Sequence, residues 1–147
     1  MRDGKSNFKT VNSLLPIAAK TTADGTGLGV AVSGYNSVEM VLTLGVPLTA
    51  LSGSIYWVIS FQECATNTPG SFTDIAAANL IGGVPSVIVN ADGEASRSVS
   101  RAYIGGLPYV RILATGTGTN TNGTPMSGIV ILGKPIHAPT AADGAQT

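Results

Sequence analysis

Ile55-Tyr56-Trp57-Val58-Ile59-Ser60-Phe61-Gln62-Glu63 alternates large apolar and mixed residues along its whole length. Ile55, Trp57, Ile59 and Phe61 fall on one side of an extended chain, and Tyr56, Val58, Ser60 and Gln62 on the other. Side chains of a strand point to opposite faces with a period of two, so this is a β-strand with one core face. A slip of one residue would exchange the two faces, so the pairing register is well specified.

The same period recurs to either side. Val38, Met40, Leu42 and Leu44 alternate with Glu39, Val41 and Thr43. Tyr109, Arg111 and Leu113 alternate with Val110, Ile112 and Ala114. Ser127 to Leu132 is apolar on both faces, which suggests a central or covered strand. Shorter strand candidates are Ile17 to Thr22, Phe72 to Ile75, Ser86 to Val89 and Ser96 to Ile104. Ala76 to Leu80 reads as one helical turn. Glycine (19 residues) and proline (8) punctuate the apolar runs, and no stretch keeps a helical period. Gly105-Gly106 reads as a tight hairpin joining Ala102–Ile104 to Tyr109–Leu113. The expected fold is all-β: one antiparallel β-sandwich over residues 14–135, the jelly roll being one arrangement that fits. Residues 1–13 read as an N-terminal arm and 136–147 as a C-terminal tail, flexible alone or ordered against a neighbour.

Charge is scarce. Only 11% of the 147 residues are Asp, Glu, Lys or Arg, the formal net charge is zero, and 44% are hydrophobic. Ordinary soluble domains carry about 25% charged residues. Between Met40 and Thr73 the single charge is Glu63. A surface this neutral is better explained if copies of the chain or a partner cover much of it. The balance argues against a nucleic-acid binder, which would show a basic stripe. The apolar stretch Leu14 to Ala19 is short and broken by Pro16, and no run approaches the roughly 20 residues of a membrane span. The expectation is a soluble protein made in a cytoplasm, with no membrane partner.

Catalytic and metal chemistry is hard to assemble. His137 is the one histidine and lies in the tail; Cys64 is the one cysteine, read as a half-buried inert thiol. Asp92 and Glu94 flank a glycine in a turn that could catch a hard cation, although a solvated turn explains the same residues. Gly25-Thr-Gly-Leu-Gly29 has the glycines of a phosphate loop without its spacing or following helix, and reads as a flexible connection. The expectation is no enzyme, no metal and no cofactor. Arg97 and Arg101 share one face of a strand, with Arg111 on the strand that follows. These arginines suit either carboxylates of a neighbouring subunit or the solvated face of an edge hairpin. With Lys5 and Lys9 in the arm, and Tyr35 and Tyr109 beside turns, they are the candidate contact residues.

Taken together, Ala23-Asp-Gly-Thr-Gly, Gly34-Tyr-Asn-Ser-Val-Glu, Ser71-Phe-Thr-Asp-Ile-Ala-Ala-Ala, Ala102-Tyr-Ile-Gly-Gly-Leu-Pro-Tyr-Val-Arg and Ile129-Val-Ile-Leu-Gly-Lys-Pro follow a familiar order. Between Leu14 and Pro135 the chain resembles small β-rich proteins encoded among the head genes of tailed bacteriophages and prophages. It departs from them at Leu107-Pro108, where a basic residue is expected, and in a longer Gly45 to Gly53 connection. The resemblance implies a capsid decoration, or cement, protein of the virion surface, with the major capsid protein as partner; the threefold positions of capsids make a homotrimer the expected form. Its rival is another virion part: a tail-tube, head–tail joining or head-spike base protein.

Overall fold

The computed structural model describes residues 7–20, 25–94 and 96–135. Its elements are β1 (Phe8–Lys20), β2 (Gly25–Thr26), β3 (Val30–Ala31), β4 (Tyr35–Leu44), β5 (Tyr56–Cys64), β6 (Thr73–Asp74), β7 (Leu80–Ile81), β8 (Ser86–Val89), β9 (Ser98–Tyr103), β10 (Tyr109–Thr117) and β11 (Thr124–Pro135). Three short 3-10 turns, at Pro69–Ser71, Ala77–Asn79 and Asp92–Glu94, sit among them. The Ala76 to Leu80 turn is thus of the 3-10 kind.

Two antiparallel sheets form. The first runs β1-β11-β4-β9-β7; the second runs β2-β10-β5-β6, with β3 also on β10 and β8 also on β5. The pairs nest around the segment near Thr73: Phe8 lies opposite Gly133, Thr26 opposite Leu113, Val38 opposite Tyr103 and Trp57 opposite Val89. A long hairpin rolled so that alternate pairs enter opposite sheets is the wiring of a jelly roll. β11 against β4 and β10 against β5 then close each sheet laterally.

The alternation in the sequence becomes the core. Met40, Leu42, Trp57, Ile59, Phe61, Val110, Ile112, Ala114 and Val130 are wholly buried between the sheets. At one end Trp57 Nε1 donates to Thr124 Oγ1 at 3.0 Å, and Asn120 Nδ2 donates to the same hydroxyl at 3.2 Å. The long Gly45 to Gly53 connection is stitched there: Leu48 N–H donates to the Gly123 carbonyl and Asn122 N–H to Thr49 Oγ1, both at 2.9 Å.

Two sequence expectations change. Gly105-Gly106 does not turn a hairpin: β9 belongs to the first sheet and β10 to the second, so the loop crosses between layers. A glycine pair marks a turn but not which partner the next strand takes. The boundary drawn at Ser13 falls inside β1, which pairs with β11 from Phe8 onward. Ser13 is itself a seam between the sheets. Its Oγ accepts Ile112 N–H at 2.9 Å and donates to the Leu28 carbonyl at 3.1 Å, while its own carbonyl accepts Leu28 N–H. Lys5, His137 and the 136–147 tail lie outside the described residues.

Candidate functional site: an uncharged sheet face and a cationic groove

The outer face of the first sheet follows from register alone. Directly paired residues share a face, so three rows cross it: Thr10, Ile131, Glu39, Ala102; then Asn12, Ile129, Val41, Ser100; then Ser127, Thr43, Ser98. Glu39 is the only charge among them. Ile129, Ile131 and Val41 stay half-exposed at the centre, ringed by exposed Thr10, Asn12, Thr43, Ser98 and Ser100. β11 is therefore central, as its two apolar faces suggested, but its outer side has no cover among the described residues. Antiparallel sheets that face water normally present polar side chains there. Short and β-branched side chains also lose little rotamer freedom when covered. The face is nearly neutral and cheap to bury.

The outer side of the second sheet is different. Arg111 projects from β10 beside Gln62 of β5 and is 7% exposed. Its Nε donates to Gln62 Oε1 at 2.8 Å, and Gln62 Nε2 donates onward to Asp74 Oδ1 at 2.9 Å. The guanidinium stacks 4.3 Å from the centroid of the Phe72 ring. Cys64, fully buried, donates from Sγ to the Ser71 carbonyl at 3.1 Å and so holds the Phe72 segment down. Burial pushes the Arg111 guanidinium down from its ordinary range, although an arginine stays protonated in any folded protein.

A groove of about 590 Å³ opens beside Arg111, lined by Gly27, Leu28, Gly29, Asn67, Pro69 and Phe72. The glycine run once comparable to a phosphate loop forms one wall by close packing. A Cβ on Gly27 would sit 2.0 Å from the Ile112 carbonyl oxygen, and one on Gly29 would sit 2.0 Å from Asn67 Oδ1. The connection is a fitted wall and not a loose linker.

The remaining candidates scatter. Arg101 lies on the core-facing side of β9, between buried Val99 and Tyr103. Its guanidinium is 5.7 Å from the Phe61 ring centroid, and its Nε and Nη1 donate to the Val84 and Ser100 carbonyls at 2.9 and 2.7 Å. It caps the core instead of forming a solvated cationic face. Arg97 is exposed before β9, at the opposite end from Tyr35 and Tyr109. Tyr35 and Tyr109 begin β4 and β10 at one end and are half-buried. Lys9 is half-buried opposite Leu132. Asp92 Oδ1 accepts Leu51 N–H at 2.8 Å, so this carboxylate serves as a loop staple. Among the described residues no group of three His, Cys, Asp or Glu gathers to hold a metal, and no helix is long and apolar enough to cross a membrane.

A cavity of about 400 Å³ lies at the Tyr35 end, between Val32–Asn36 and Tyr103–Pro108. Tyr103 organises it: its hydroxyl donates to buried Glu63 Oε2 at 2.5 Å and accepts Leu107 N–H at 2.8 Å. Burial first, then the Glu63 carboxylate, push the phenol well above its ordinary value of 10. The folded chain thus keeps a proton that the unfolded chain loses near pH 10, and stability falls as pH rises beyond that point. Tyr103→Phe is expected to flatten this alkaline slope. At neutral pH it should cost about 1–3 kcal/mol, because the Glu63 carboxylate loses its donor. Urea unfolding at pH 7 and above pH 10 measures both effects; an unchanged alkaline slope would assign it to another group.

Fold and surface together define an antiparallel two-sheet β-sandwich with a neutral outer face that no described residue covers. No protein-family model and no curated protein matches the chain. A solved structure described as "Crystal structure of PirA" aligns with 91% of this chain and 97% of its own, at 16% identity and a TM-score of 0.30.

Proposed function

We propose that this chain is a structural virion protein, a decoration protein that binds the outside of a tailed-phage head and bridges major capsid subunits without catalysis. The observation that carries the reading is the outer face of the first sheet, where Ile129, Ile131 and Val41 lie uncovered in a field with Glu39 as its one charge. Apolar side chains left half-exposed at the centre of a neutral sheet face support a contact with another macromolecule. The low overall charge and the sequence resemblance to phage head proteins point the same way. Capsids offer threefold and quasi-threefold positions, so a cyclic trimer is the form proposed. Repetition over a shell makes individually weak contacts collectively strong.

The test is co-sedimentation of the purified protein with heads that lack it, across a concentration series. Saturation at a simple ratio to the major capsid protein is expected. Absence of binding to heads, with binding to tails or to the head–tail junction, would replace this reading with the tail-tube or joining-protein alternative.

A further inference from the structure

We propose that the groove beside Arg111 is a receptor for a single carboxylate, carried by an Asp or Glu side chain of a partner polypeptide. Two strand arginines of the sandwich make the case by contrast. Arg101 spends Nε and Nη1 on carbonyls of its own chain. Arg111 uses Nε alone, on Gln62. Its terminal nitrogens have no partner among the described residues, yet no buried side-chain nitrogen is left both sealed and unsatisfied. Arg111 lines the groove, and we place these nitrogens at its opening.

The carboxylate nearest in the hydrogen-bond chain does not neutralise it. Asp74 accepts from Gln62 and forms no ion pair with Arg111. A half-desolvated cation with no counter-charge among the described residues is costly, and an anion entering the groove would relieve that cost. The planar guanidinium, fixed at one edge by Gln62 and on one face by Phe72, presents its free edge as a fork. A fork fits the two oxygens of a carboxylate. Arg111 is the only cation among the lining residues, so a dianionic phosphate would be only half compensated. Apolar Leu28, Pro69 and Phe72 beside it, with Asn67 as a hydrogen-bonding group, suit a peptide segment around the acidic residue. The inference stands apart from the virion reading, since it concerns the groove's chemistry and not the identity of the partner.

The first experiment follows the Arg111 Nε–H resonance by NMR while sodium acetate, chloride or phosphate is added at matched ionic strength. A saturable shift with acetate alone is expected. Arg111→Lys removes the reporting N–H together with the fork, so it cannot serve as the control. A different position covers this: Leu28 is exposed at the groove's rim. Leu28→Glu should supply the carboxylate internally and weaken the acetate response at least tenfold, whereas Leu28→Gln, of the same shape but uncharged, should weaken it less than threefold. Capped Ala-Asp-Ala and Ala-Asn-Ala peptides then test the source, with the Asp peptide expected to bind at least tenfold more tightly than acetate and the Asn peptide to leave the resonance unmoved. A response to phosphate exceeding that to acetate, or none to either, overturns the carboxylate site. An Asp peptide no tighter than acetate overturns the polypeptide partner in favour of a free organic acid.

Discussion

Trp57→Ala is expected to lower the unfolding free energy by about 3–5 kcal/mol, close to the full stability of a marginal domain. Trp57 is entirely buried between the sheets and is the largest fully buried side chain among the described residues. Its indole N–H reaches Thr124 on β11, so one side chain ties the second sheet to the first. Gly116, its partner on β10, leaves room for the ring: a Cβ there would sit 3.0 Å from the indole. Truncation opens a cavity that rigid flanking strands cannot close, and it removes one of the two donors to the buried Thr124 hydroxyl. Trp57→Phe should cost less, since most of the ring volume remains and chiefly the hydrogen bond is lost. Far-UV circular dichroism during urea unfolding measures both, because Trp57 is the sole tryptophan and its fluorescence disappears with it. A loss under about 1 kcal/mol with an unchanged denaturant slope would mean that the indole is not packed as described.

What the sequence disclosed and what it withheld divide along a physical line. Alternation in Ile55 to Glu63 and Val38 to Leu44 is a local property, and it correctly marked Trp57, Ile59, Phe61, Met40 and Leu42 as core. Strand partners are not local. Tyr103 and Tyr109 are six residues apart in the sequence yet lie in different sheets, because β9 was already committed to β4 and β10 to β5. The same limit applies to the candidate contacts. Arg101 and Arg111 look alike along the chain, but parity turns one toward Phe61 and the core while the other meets Phe72 from an outer face. The groove at Arg111 draws on residues 27–29, 67–72 and 111, three segments that no spacing rule connects. The neutral sheet face did leave a trace. A final strand apolar on both sides states that its outer side wants cover, without saying who supplies it.

Ile129→Lys combined with Ile131→Lys is expected to weaken association with the head at least 100-fold while leaving the isolated fold nearly intact. Both side chains sit on the outer face of β11, half-exposed, with Thr10, Asn12, Val41 and Glu39 as cross-strand neighbours. In the free chain the new ammonium groups reach water, and the one at position 131 would stand directly opposite Glu39. Unfolding should therefore shift by no more than about 0.5–1 kcal/mol. In a covered interface the same two charges must be desolvated without partners, and each factor of ten in affinity corresponds to only about 1.4 kcal/mol. Placing the same two charges at Thr119 and Thr121, exposed in the loop before β11, provides a control of equal net charge away from the face. Loss of co-sedimentation in the face variant alone would fix this sheet as the surface of contact. Wild-type binding by both variants would move the contact to the loops at the ends of the sandwich, where Val46 and Leu48 at one end and Ile104 and Leu107 at the other stand exposed.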